Sequence, residues 1–111
     1  MSIEEKKFLT DVIQSIHSID EHLGGKRDFD EYLKNKTIRR AVERELGIIG
    51  EAVNKLLKIN PAISISFTRQ IVDLRNKVIH SYDSVNDNTI WSVLVKHLPT
   101  LEAEINALLN L

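Results

Sequence analysis

Apolar residues in this chain recur every three to four positions, the interval that lines one face of a helix. Ser2 followed by Glu5 has the spacing of a capping box that opens a first helix. Leu9, Val12, Ile13, Ile16 and Leu23 mark its inner face, and Gly24 with Gly25 ends it. "DFDEYLKN", residues 28–35, reads as a short extra helix with Asp28 as N-cap. A second long helix is predicted from about Thr37 to Lys58, with a stripe of Ile38, Val42, Leu46, Ile49, Val53 and Leu56. Ala41, Ile48 and Ala52 widen that stripe to roughly half the circumference at ~100° per residue. A face so wide suggests a second buried contact, and a dimer interface is one explanation.

A turn at Pro61 leads to a third helix predicted over Phe67 to His80, with Phe67, Ile71, Leu74 and Val78 inward. The last helical segment starts near Asp87 or Asn88. Ile90, Leu94, Leu98, Leu101, Ile105 and Leu108 hold one register through it. Pro99 interrupts, because its ring cannot continue a regular turn. Two co-directed pieces, broken or kinked near Pro99, are expected. No strand-type alternation, repeat or linker is present. The predicted class is therefore all-α: one domain over residues 1–111, an antiparallel up-and-down bundle of four main helices plus a short extra one.

Composition narrows the function classes. Of 111 residues, 42% are hydrophobic and 28% charged, which suits a soluble domain with a real core. The formal net charge of -1 means that binding to nucleic acid or a membrane has to rest on local charge. The absence of cysteine excludes disulfides and thiolate metal sites, and it fits the reducing cytoplasm, the expected location. The opening "MSIEEKKFL" has no apolar core or cleavage signal, so no secretory leader is expected. No apolar run approaches the ~20 residues of a membrane span.

The densest chemistry lies in "RNKVIHSY", residues 75–82. Arg75 offers planar, permanently charged donors that match a phosphate. His80 can give or take a proton near neutral pH. Tyr82 supplies a hydroxyl for hydrogen bonding or modification. Together they suit RNA cleavage without a metal, in which a 2'-hydroxyl attacks the neighbouring phosphorus. A plainer alternative is a histidine favoured by the helix dipole and an arginine lying along the surface. Spacing adds a constraint. Five residues separate Arg75 from His80, so an ideal helix sets them ~140° apart, with Asp73 and Asn76 nearer the face of His80. Either the helix loosens, or the arginine reaches around, or a second chain completes the site.

"RNKVIHSY" resembles the R-x-x-x-x-H-x-Y signature of the HEPN superfamily, and specifically the HepT-like toxin family. "RAVERELGIIGEAVNKL", residues 40–56, and "IWSVLVKHLPTL", residues 90–101, match it as well. The likeness spans nearly the whole chain in order. Asn86, where many relatives carry aspartate, is a small departure. The resemblance implies a homodimeric helical bundle with the two motif segments near each other at a cleft between subunits. It implies a metal-independent endoribonuclease, the toxin of a toxin–antitoxin pair, cutting tRNA or mRNA and needing no cofactor. The implied partner is an MNT-type minimal nucleotidyltransferase that moves AMP from ATP onto the motif tyrosine. By position, Arg75 and His80 become the catalytic pair, Asn76 the supporting polar residue, and Tyr82 a site residue and AMP acceptor. AMP there would bring negative charge and bulk to where the RNA backbone sits. A different class is also open: a non-catalytic helical module that docks a nucleotidyltransferase or a nucleotide.

Other features are weighed against plainer alternatives. Lys36, Arg40 and Arg44 line one helix face and could contact RNA or a partner, or be a solvated face balanced by Glu43 and Glu51. Glu45 falls inside the apolar arc; Arg75 is one candidate partner, and an interface edge or a snorkelled carboxylate is the alternative. Gly47 and Gly50 in "GIIG" suggest close approach by another element. His17 with Glu21 has helical metal-ligand spacing but no third ligand, so no metal is assigned there. His22 and His97 remain without an assigned role.

Overall fold

A computed structural model describes residues 1–80 and 86–110. Its elements are all helical: α1 (Ile3–His22), α2 (Phe29–Lys34), α3 (Lys36–Ile59), α4 (Thr68–His80), α5 (Asp87–Ser92), a π-helical segment (Val93–His97) and α6 (Leu98–Leu109). α2 is the short extra helix. α5, the π segment and α6 run on as the fourth main element. No helix of the structure is long and apolar enough to cross a membrane.

Local signals set the helix starts. The Ser2 hydroxyl accepts from Glu5 N–H at 3.1 Å, and Ser2 N–H donates back to Glu5 at 3.2 Å. That backbone donor, with help from Asn60, holds the Glu5 carboxyl below the usual range. Asp28 caps α2 and Asn35 caps α3, each accepting from the N–H three residues on. α4 starts differently. Phe67, predicted as its first core residue, lies outside the helix with φ 63°, a conformation costly for an aromatic side chain. Ser66 just before it donates through N–H and hydroxyl to the Glu104 carboxylate at 3.0 and 2.8 Å. α4 is thereby anchored to α6.

α3 is the central helix, packed against α1 on one flank and α4 on the other. Val42, Ile49, Val53 and Leu56 are fully buried along its middle. Two neighbours within the chain thus cover most of the wide apolar face, but Ile48, one of the residues that widen it, stays exposed. Leu9, Val12 and Ile19 close the core from α1, Ile71 and Leu74 from α4, and Ile90, Leu94, Leu101 and Ile105 from the last element. Each such side chain contributes about 1.5–3 kcal/mol by leaving water.

Pro99 is handled without an interruption. It sits in the first turn of α6, where its missing N–H is least felt. The preceding turn is widened instead: Leu98 N–H reaches the Val93 carbonyl, five residues back. The helix therefore continues through the expected break, with a changed pitch just before the proline.

The two glycines of α3 differ. A Cβ at Gly50 would lie 2.2 Å from Cβ and 2.7 Å from Cγ of Arg75, and 3.2 Å from the Ile71 carbonyl oxygen. The close approach expected there is real, and α4 of the same chain makes it. A Cβ at Gly47 would meet nothing within 4 Å. Opposite outcomes follow. Gly47→Ala will stabilise by about 0.5–1 kcal/mol through helix propensity. Gly50→Ala will destabilise by about 1–3 kcal/mol, because α3 and α4 must part. Urea unfolding of both variants checks the sign at each position.

Tyr32 of α2 is buried under the rings of Trp91 and Phe29, with its hydroxyl lacking a partner among the described residues. Burial first, and the nearby Asp87 carboxylate second, push that hydroxyl well above the usual phenol range. The folded state thus holds the proton more tightly than the unfolded chain. Its contribution to stability is whole below about pH 10 and declines as pH rises past it. Tyr32→Phe will match or exceed wild-type stability at neutral pH, since no hydrogen bond is lost. It will also lose less stability between pH 9 and pH 11, read from chemical denaturation at each pH.

Candidate active site

The contact at Gly50 sets where Arg75 can point. Without a side chain at Gly50, the Arg75 stem lies flush on α3. The guanidinium then turns outward, and its Nη1 donates to Asn76 Oδ1 at 3.0 Å. With its oxygen so engaged, the Asn76 amide has its N–H donors left for another group. Arg75 Nε is buried and has no partner among the described residues. No ion pair to a described carboxylate neutralises the guanidinium either. A cation so placed, half-buried with an unused donor, is suited to an anion.

His80 is the last residue of α4 and is exposed. The helix is regular up to it, so it does not loosen between Arg75 and His80. The arginine does lean around, as far as Asn76. Asn76 lies one turn before His80 on the same side of the helix. The structure therefore brings Arg75 and Asn76 into contact and leaves His80 one turn away on the exposed face. Ile79 beside it is 37% exposed, an apolar side chain without full cover at the motif itself. Tyr82 lies outside the described residues.

The remaining sequence candidates separate clearly. Arg40 is held by both oxygens of Glu43 at 3.1 Å, so its charge is largely spent within the helix. Lys36 and Arg44 are exposed and form no ion pair among the described residues. Glu45 pairs with His22 of α1 at 3.3 Å, not with Arg75. The reason is angular: Glu45 faces the α1 flank of α3, about 140° around from Gly50. His17 pairs with Glu102 of α6 at 3.1 Å, not with Glu21, and joins no metal-binding group among the described residues.

Two features had no local signal. The Ser66–Glu104 clamp joins residues 38 apart in sequence and fixes how α4 starts. The His97 ring stacks on Phe67 with centroids 4.2 Å apart, and its Nδ1 is buried without a partner among the described residues. Positive-φ aromatics cannot be read from composition, and the π turn that carries His97 has no sequence period of its own.

Comparison with known proteins places this arrangement. The family model described as ribonuclease HepT-like matches residues 12–108. A protein of Caldanaerobacter subterraneus subsp. tengcongensis, named as a candidate RNase, is 32% identical over 106 residues, covering 95% of this chain and 94% of its own. One from Methanocaldococcus jannaschii, similarly named, is 32% identical over 107 residues, covering 95% of this chain and 87% of its own. A protein of Thermococcus cleftensis, named as a candidate ribonuclease HepT, is 30% identical over 114 residues, covering 97% and 98%. No solved structure matches. The matched region contains the α3–α4 seam, Arg75, Asn76 and His80, and the chain belongs to the HepT-like ribonuclease family.

Proposed function

We propose that this protein is a metal-independent endoribonuclease that works as a cytoplasmic homodimer and as the toxin of a toxin–antitoxin pair. The observation that carries this reading is the half-buried Arg75 guanidinium, without an ion-pair partner among the described residues and held on Asn76, one turn from the exposed His80. Arg75 and Asn76 hold the scissile phosphate of a single-stranded or looped RNA site, in tRNA or mRNA, where bases and backbone are reachable. His80 takes the proton from the 2'-hydroxyl as its oxygen attacks phosphorus. The bond to the 5'-oxygen breaks, and the same proton passes to that departing oxygen. Products are a 2',3'-cyclic phosphate and a free 5'-hydroxyl. Arg75 stabilises the added negative charge on the phosphoryl oxygens as the bond forms.

The stem of Arg75 is pinned on the α3 side while His80 projects from the far end of the helix. Two chains joined near Ile79 would set the Arg75 of one against the His80 of the other. Lys36 and Arg44 are the remaining exposed cations of their stripe, suited to the flanking RNA backbone or an acidic partner surface. For control, an MNT-type nucleotidyltransferase transfers AMP to Tyr82. The tyrosyl oxygen attacks the α-phosphorus of ATP, and pyrophosphate leaves. The added phosphodiester places a negative charge beside the cation that must hold RNA.

Two measurements test this. Purified protein will cleave RNA in excess chelator, and His80→Ala, or Arg75→Gln, which keeps the packed stem, will lower the rate at least a hundredfold while melting like wild type. Equal cleavage by wild type and His80→Ala defeats the catalytic assignment; RNA binding without turnover in wild type favours a binding module. Co-expression with the cognate nucleotidyltransferase will add the mass of AMP at Tyr82 and abolish cleavage. Unmodified Tyr82 with enzyme and ATP present removes that mode of control.

A further inference from the structure

A groove of about 420 Å³ runs between α4 and the α5–π element. That volume falls within the ~300–1,000 Å³ typical of ligand clefts. Its floor is apolar, from Leu74 and Val93, and its walls are polar. Gln70, Asp73 and Lys77 come from α4, Asn88 and Ser92 from α5, and His97 from the π segment. Apolar floor, amides, a carboxylate, an ammonium and an imidazole are the set that a nucleobase with its phosphate would use. Of these residues only Lys77 falls within the 75–82 stretch, and it is not one of the residues given a role there.

The groove is aligned with that motif. Seven residues separate Asp73 from His80, within ~20° of two whole turns, so both lie on one side of α4. Lys77 lies between them, one turn before His80. The opposite wall is built with unusual backbone. The π turn carries His97, and Phe67, in its left-handed conformation, stacks on the His97 ring. π turns and strained residues gather at functional sites. Here the π turn lines the groove through Val93 and His97, and Phe67 stacks on the His97 ring without lining it.

We infer that this groove seats one unpaired nucleotide of the RNA, next to the phosphate that is cut. The inference rests on the ribonuclease reading above. Asp73 can only accept hydrogen bonds, so it favours the exocyclic NH2 of adenine, cytosine or guanine over uracil, whose single N3–H donor sits between two carbonyl oxygens that a carboxylate repels. Gln70 and Asn88 meet the remaining base edge, and Lys77 meets the adjoining phosphate. The base lies over Leu74 and Val93.

Asp73 and Lys77 are exposed, so substitutions there leave the core intact. The test measures binding of 2'-O-methyl oligo(A), oligo(C) and oligo(U), which cannot be cut, by fluorescence anisotropy. Wild type will prefer oligo(A) and oligo(C) to oligo(U). Asp73→Ala will lose about tenfold on oligo(A) and oligo(C) and little on oligo(U). Lys77→Ala will weaken all three alike and flatten the salt dependence. Unchanged binding in both variants, or an equal loss on all three oligonucleotides in Asp73→Ala, overturns the inference. So does loss of the dimer in both variants by analytical ultracentrifugation, which would make the groove a subunit contact. If the preference appears but wild type never cleaves RNA, the nuclease reading fails and the nucleotide seat stands.

Discussion

The contact between Gly50 and the stem of Arg75 is the constraint on which the rest of the site depends. Without a side chain at Gly50, α3 and α4 meet with the arginine stem between them. That fixes the rotation of α4 about its own axis. Ile71 and Leu74 then fall into the core, and Asp73, Asn76 and His80 fall outside it. The Ser66–Glu104 clamp holds the start of the same helix to α6. A helix anchored at one end and keyed at its middle has little freedom to roll. The directions of Arg75, Asn76 and His80 follow.

Much of the fold was legible because it is local. Capping at Ser2, Asp28 and Asn35 needs only a residue and the N–H groups just after it. The stripes of α1, α3 and the last element follow from the helical period and name most of the buried side chains, but not Ile19, Tyr32 or Val93. What was not legible depends on distant residues. Glu45 finds His22, and Ser66 finds Glu104, across gaps in sequence that no period connects. The width of the α3 face invited a second subunit, yet α1 and α4 cover most of it and leave Ile48 exposed. The helical period carries Phe67 into α4, but the residue leaves the helix to meet His97.

The site was legible to a similar depth. The angular offset between Arg75 and His80 follows from their spacing, and the regular helix preserves it. The turn of the guanidinium onto Asn76 did not follow, because it depends on the stem being pressed against α3. Glycine in "GIIG" pointed to close approach without naming the partner. Only Gly50 has one, and that partner is the arginine proposed to hold the phosphate. One small residue in a neighbouring helix thus ties the packing of the core to the chemistry of the surface.

If that geometry leaves each chain with half of a site, two defective chains can repair one another. Arg75→Gln and His80→Ala proteins, each inactive alone and the first keeping the packed stem, can be unfolded together and refolded as a mixture. With Arg75 of one chain acting on the same phosphate as His80 of the other, half of the dimers are mixed and each mixed dimer keeps one of its two sites. RNA cleavage should then return to roughly a quarter of the wild-type rate. A mixture as inactive as either parent would contradict a shared site and place both residues' action within a single chain.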